Sequence, residues 1–142
     1  MTLNMEEKKT LSKYRLDKAE RLLEDAKLLL KEERWESSIN RSYYAVLSAA
    51  KAALILFGID PKTHEGVKTM VSKKLVLDGL ISKEYGKWFR TLLFEREDVD
   101  YADYVIIDPS EAEDAYNNAV RFIEKVKDVI EMLIKQISIK GE

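Results

Sequence analysis

The chain has no cysteine and only one histidine, His64, in 142 residues. The first absence removes disulfides, thiolate zinc sites and cysteine nucleophiles together. The second removes any histidine-rich metal site. No apolar run approaches the roughly 20 residues of a membrane-spanning helix. Met1 to Lys9 is charged where a signal peptide would be apolar, so a cytoplasmic protein is the expectation. Proline occurs twice and glycine five times, so breaks are few. No segment sustains the period-2 alternation of a half-buried strand. The net charge of −2 gives no global attraction to nucleic acid, and any such binding must use a local patch. A Gly-rich phosphate loop, a nucleophile elbow and a zinc-binding helix motif are all missing.

What is present reads as helix throughout a single domain, residues 1–142. Asn4, with Glu7 three residues on, predicts a capped first helix. Leu16, Ala19, Leu23, Ala26 and Leu30 form its apolar stripe. The stripe breaks at Lys31-Glu32-Glu33-Arg34, read as a tight hairpin, with one continuous helix as the alternative. A second helix is expected from about Trp35 to Phe57, with Gly58 as its stop. Ile39, Ser42, Val46, Ala49, Ala50, Ala53 and Phe57 share one of its sides, and their small size lets another backbone approach. A third helix opens at Asp60-Pro61 or Thr63 and stacks Val67, Val71 and Leu75. A fourth follows Ser82, with Tyr85, Phe89, Leu92 and Leu93 as its stripe. Tyr101 to Pro109 is expected as a loop or extended crossing. Ser110 and Glu113 have the spacing of a capping box for the fifth helix. Its stripe runs from Ala112 through Ile123 to Ile137 and calls for a long partner, for which the first helix has the matching length. The fold class is therefore all-α: an up-and-down antiparallel bundle of four to five helices.

Two stretches carry chemistry. Between Glu36 and Lys51 the second helix has one charge, Arg41, in a chain that is 35% charged. Asn40, Arg41, Tyr44, Ser48 and Lys51 fall within an arc of about 100°. This arc is either the solvent side or, given its directional hydrogen-bonding groups, a face covered by a ligand or by more protein. In the second stretch, Arg96 and Asp100 continue the apolar face of the fourth helix. They are either an i, i+4 ion pair or a guanidinium held for phosphate. Glu95, Glu97, Asp98, Asp100 and Asp103 around Arg96 repel a polyanion, or hold a divalent cation that bridges to it. His64 is either a helix-start residue making a local hydrogen bond or the one ready general base near neutral pH.

These pieces together resemble the HEPN-domain family: Asn40-Arg41-Ser42-Tyr43-Tyr44-Ala45, Ala49-Ala50-Lys51-Ala52 with Leu54, Thr63-His64-Glu65-Gly66, and Arg96 with Asp100-Tyr101. The resemblance spans about residues 11 to 135 and is closest to small stand-alone prokaryotic members. It implies a four- or five-helix bundle that forms a homodimer. It also implies a toxin-like role beside a minimal nucleotidyltransferase antitoxin. Active members are metal-independent ribonucleases with an Arg, four to six residues and then a His, paired across the dimer. Arg96 matches that Arg, but Tyr101 stands where the His is expected, and no His follows His64. The resemblance assigns Arg96 and Tyr101 as catalytic candidates. Asn40, Arg41, Tyr44, Lys51, His64 and Asp100 become candidates for nucleotide or RNA binding, with no metal and no cofactor. The first expectation is a nucleotide- or RNA-binding interaction protein. The alternatives are an atypical ribonuclease and a purely structural helical adaptor.

Overall fold

The computed structural model describes residues 2–101 and 107–140; for 93–101 and 140 it describes the backbone course and not the side chains. The helices are α1 (Met5–Lys31), α2 (Trp35–Ile55), α3 (His64–Met70), α4 (Lys83–Tyr101) and α5 (Pro109–Lys140), and α3 continues into a π-helical stretch, Val71–Val76. Every regular element among the described residues is helical, as the periodicity predicts.

The charge-poor second helix is the centre of the bundle. Fourteen of its 21 residues are buried, which a helix tolerates only when it is apolar or small on nearly all sides. Its alanines bring neighbouring backbones close, and its serines exploit the approach. Ser38 Oγ donates to Ala26 O at 2.8 Å, Ser48 Oγ to Arg15 O at 2.7 Å, and Ser12 Oγ on α1 to Ala52 O at 2.7 Å. As the α2 number rises the α1 number falls, so the two helices run antiparallel. The buried residues of α1 are Ser12, Ala19 and Ala26, a small residue every seventh position. That spacing is a narrow helix–helix seam. Leu16, Leu23 and Leu30, the larger members of the expected stripe, pack partly buried at its margin.

The hairpin between α1 and α2 forms as expected. Glu33 N–H donates to Leu30 O and Arg34 N–H to Leu29 O, the paired bonds of a Schellman ending. The first of these two donors needs a left-handed backbone in this motif, and here it is Glu33, with φ of 60°. A side chain there costs roughly 1–2 kcal/mol. Glu33→Gly is expected to raise stability by about 1 kcal/mol, after the entropy glycine loses on folding is subtracted. Chemical denaturation measures it, and a less stable variant would contradict it. Gly58, with φ of 76°, supplies the same conformation after α2 without that cost.

Several sequence expectations change. α5 packs mainly on α2 and less on α1. α1 is a partner of α5, as its length suggested, but the small-residue surface of α2 packs against both and takes the larger share of α5. The cap of α5 is Asp108, whose Oδ1 accepts from Ser110 N–H at 2.9 Å and from Ser110 Oγ at 3.0 Å. Pro109 then takes the first helical position, where no N–H is needed. Tyr101 belongs to α4 and Pro109 to α5, so the crossing is shorter than expected at both ends. Phe57 is 39% exposed, because α2 has already ended at Ile55. Val67, Val71 and Leu75 are buried as expected, but the helix widens beneath them, with Leu77 N–H bonding back to Ser72 O. More residues per turn keep a four-residue spacing pointed at the core. Phe89 and Leu92 anchor α4, and the Phe89 ring meets Phe122 of α5 at 5.9 Å.

Candidate functional site

The α1–α2 seam is tight along its buried side and opens on the other into a cleft of about 540 Å³. That volume is within the ~300–1,000 Å³ typical of small-molecule sites. Arg41, Tyr44, Ser48 and Lys51 line it from α2, and Tyr14, Arg15 and Lys18 are among its α1 walls. Leucines 11, 22 and 47 form an apolar floor. No carboxylate is among the described lining residues. The local field is therefore positive in a chain whose net charge is −2.

One carboxylate sits behind the cleft. Arg15 reaches across to Asp60, Nη2 to Oδ1 at 3.1 Å, and Lys62 Nζ lies 3.2 Å from Oδ2. Burial alone would push Asp60 up, but the Lys62 hydrogen bond and the Arg15 guanidinium together hold it below the ordinary aspartate value. Arg15 is thereby fixed in place, tying α1 to the segment that leads into α3. Lys51 is pulled below the ordinary lysine value, first by burial and then by the Arg15 charge beside it. Asp60→Asn is expected to cost about 1–2 kcal/mol at neutral pH, between the limits for exposed and buried pairs. A depressed carboxyl stabilises the fold above its unfolded pKa, and that stability is lost as the pH falls through the folded one. The difference between wild type and variant should therefore shrink below about pH 4. Urea melts at neutral and acid pH test this, and a difference that does not change with pH would rule it out.

A second cluster adjoins the first through Tyr44. Thr63 Oγ1 caps α3 by accepting from Gly66 N–H at 2.9 Å, which places His64 in its first turn. The His64 ring centre lies 5.5 Å from Tyr43 and 5.9 Å from Tyr44, and the two tyrosine rings meet edge-on at 5.2 Å. Tyr43 is fully buried, while Tyr44 and His64 are partly exposed. The structure thus brings Tyr44 together with His64 on one side and with Arg41 and Lys51 on the other. Asn40 lies one turn before Tyr44 on α2 and is partly exposed. The expected polar arc is not one solvent face, because Ser48 is buried against α1.

Arg96, Asp100 and Tyr101 all fall within α4, which packs against α2. Their side chains lie outside the described residues, as do Glu95, Glu97, Asp98 and Asp103. Among the described residues no group of acidic or histidine side chains is placed to hold a metal ion. No helix among them is long and apolar enough to cross a membrane. Sequence reasoning missed Tyr14, Arg15 and Lys18. On α1 they look like ordinary surface residues, and only the register of the hairpin turns them toward Lys51.

The HEPN domain profile matches residues 12–129, and the chain belongs to the HEPN domain family. It is similar to a "UPF0332 protein" of Thermotoga maritima, 33% identical over 91% of this chain and 98% of the relative. It is also similar to two Methanocaldococcus jannaschii proteins, each 29% identical. One is named "Putative toxin MJ0142", over 89% of this chain and 84% of that protein. The other is named "Putative toxin MJ0605", over 82% of this chain and 86% of that protein.

Proposed function

We propose that this chain is the toxin-like member of a toxin–antitoxin pair, a homodimer that engages RNA or a nucleotide, with a minimal nucleotidyltransferase as its antitoxin. The observation that carries this reading is the name "Putative toxin" on two relatives, each matched over more than four-fifths of this chain. Family membership supports the RNA or nucleotide component through the resemblance of Arg96 to the motif arginine. The polar groups that α2 presents around Tyr44 and His64 add to it, because they are directional donors and acceptors.

Support for the dimer comes from the family resemblance and from α4. The low charge of α2 is used within one chain, against α1 and α5, and does not call for a second copy. On α4, Tyr85 and Trp88 stack edge-on at 5.0 Å with Arg121 over the indole, and both rings remain partly exposed. Aromatic residues with arginine are enriched in interface cores.

Induced expression of the wild-type chain in a bacterial host is expected to slow growth, and Arg96→Ala to restore it. Light scattering at micromolar concentration is expected to give twice the chain mass. Unimpaired growth with wild type would remove the toxin reading, and a monomer mass would remove any site shared between protomers.

A further inference from the structure

We infer that the cleft between α1 and α2 is a binding site for a nucleoside phosphate, whose phosphate is held by Arg15, Lys18, Arg41 and Lys51 and whose base lies against Tyr14 or Tyr44. This extends the nucleotide-engaging reading above, and rests on it, by giving it a site apart from the Arg96 motif. Four cations from two helices converge on one concave surface, and no carboxylate is among its described lining residues. Like charges gathered in one cleft repel, and a bound anion would offset that repulsion. Lys51 loses proton affinity first to burial and second to the Arg15 charge beside it. Asp60 relieves only part of the repulsion, from behind Arg15.

The geometry selects among anions. Inorganic phosphate would use the cations and leave the rest of the cleft empty. The leucine floor and the two tyrosines offer apolar and aromatic surface, and Tyr14 is 60% exposed, unusual for so large a ring and open to stacking. Base–aromatic stacking contributes independently of sequence. A free nucleotide and one nucleotide of an RNA strand present the same chemistry here. The walls are built to stay in place. Arg15 is fixed by Asp60 and by donation to Lys51 O at 3.5 Å, and the Ser48–Arg15 backbone bond locks the register of the two helices.

The test uses the full chain with two probes, ATP and a fluorescein-labelled six-nucleotide single-stranded RNA, across a salt series. Lys18 and Arg41 are both exposed, so Lys18→Glu with Arg41→Glu should fold, as an unchanged thermal melt will show. Wild type is expected to bind at least one probe, and the double variant to bind it about tenfold more weakly or worse. For RNA, the log–log salt slope should fall by about 1.4, two single-strand phosphate contacts' worth. Lys18→Arg with Arg41→Lys should bind like wild type. Binding of ATP alone identifies a free nucleotide as the source, and binding of RNA alone identifies a strand. If the double reversal binds as wild type does while Arg96→Ala does not, the cleft assignment is wrong and the Arg96 reading stands. Wild type binding neither probe would overturn both.

Discussion

Phe122→Ala is expected to remove about 3–5 kcal/mol of stability. Phe122 is fully buried on α5, and its ring meets that of Phe89 on α4. Native domains are stable by only about 5–15 kcal/mol, so the loss is about a fifth of the total or more. At roughly 2–4 °C per kcal/mol for a chain near this size, the melting temperature should drop by about 6–20 °C. The effect should be large because the hole cannot close. Ala119, about one turn before Phe122 on α5, is buried as well and is too short to fill it. A consequence for function follows. α4 carries Arg96 and Tyr101, and Phe89 is one of its two fully buried described anchors. Loosening Phe122 should therefore impair any activity that depends on α4 more than binding in the α1–α2 cleft. Urea denaturation followed by circular dichroism checks the stability, with Phe57→Ala at an exposed site as the comparison. Equal losses at the two positions would show that Phe122 does not key α4 to α5.

Much of this fold was legible because its helices announce themselves by what they omit. The charge-poor stretch of α2 pointed to the centre of the fold, and the alternating 4 and 3 spacing of α5 to one apolar stripe. Local chemistry was legible where one rule applied at one place, as in the Asn4–Glu7 capping box, which forms with both reciprocal bonds. It failed where two rules competed. Ser110 and Glu113 have capping-box spacing, but Asp108-Pro109 offers a cap and a pre-set first residue just upstream. The π-helical stretch left no local signal, since Val67, Val71 and Leu75 fit an α-helix stripe almost as well. The α2 half of the cleft was visible as a polar arc. Its α1 half was not, because which residues of α1 face Lys51 depends on the hairpin register. The seven-residue run of Ser12, Ala19 and Ala26 was the available clue. Small residues must face the α2 serines and alanines, and that places Arg15 and Lys18 toward Ser48 and Lys51. The Arg96 motif was read from the sequence alone.

Tyr101→His is expected to create or greatly enhance RNA cleavage, by about 10²–10⁴-fold over wild type. Cleavage beside a 2′-hydroxyl requires that hydroxyl to lose its proton while the departing 5′-oxygen gains one. Imidazole does both near neutral pH. A phenol with an ordinary pKa of about 10 does neither readily, and an arginine is too basic to move protons at all. Tyr101 stands five residues after Arg96 in one continuous helix, where the family's motif has its histidine. Wild type should therefore hold RNA by the Arg96 charge and cleave it slowly or not at all without metal. Purified wild type, Arg96→Ala, Tyr101→His and the Tyr101→His/Arg96→Ala double variant are each incubated with a mixed RNA pool in EDTA. Cleavage by Tyr101→His alone would identify the natural chain as a binding scaffold that lacks its proton carrier. Rapid cleavage by wild type, lost in Arg96→Ala, would instead show that Tyr101 or His64 moves the proton despite its chemistry. His64→Gln would then separate the two, because His64 packs against Tyr43 and Tyr44 on α2, on a different element from Tyr101. Silence from Tyr101→His would mean that α4 does not present residue 101 to a bound strand, and the motif resemblance would then carry no catalytic meaning.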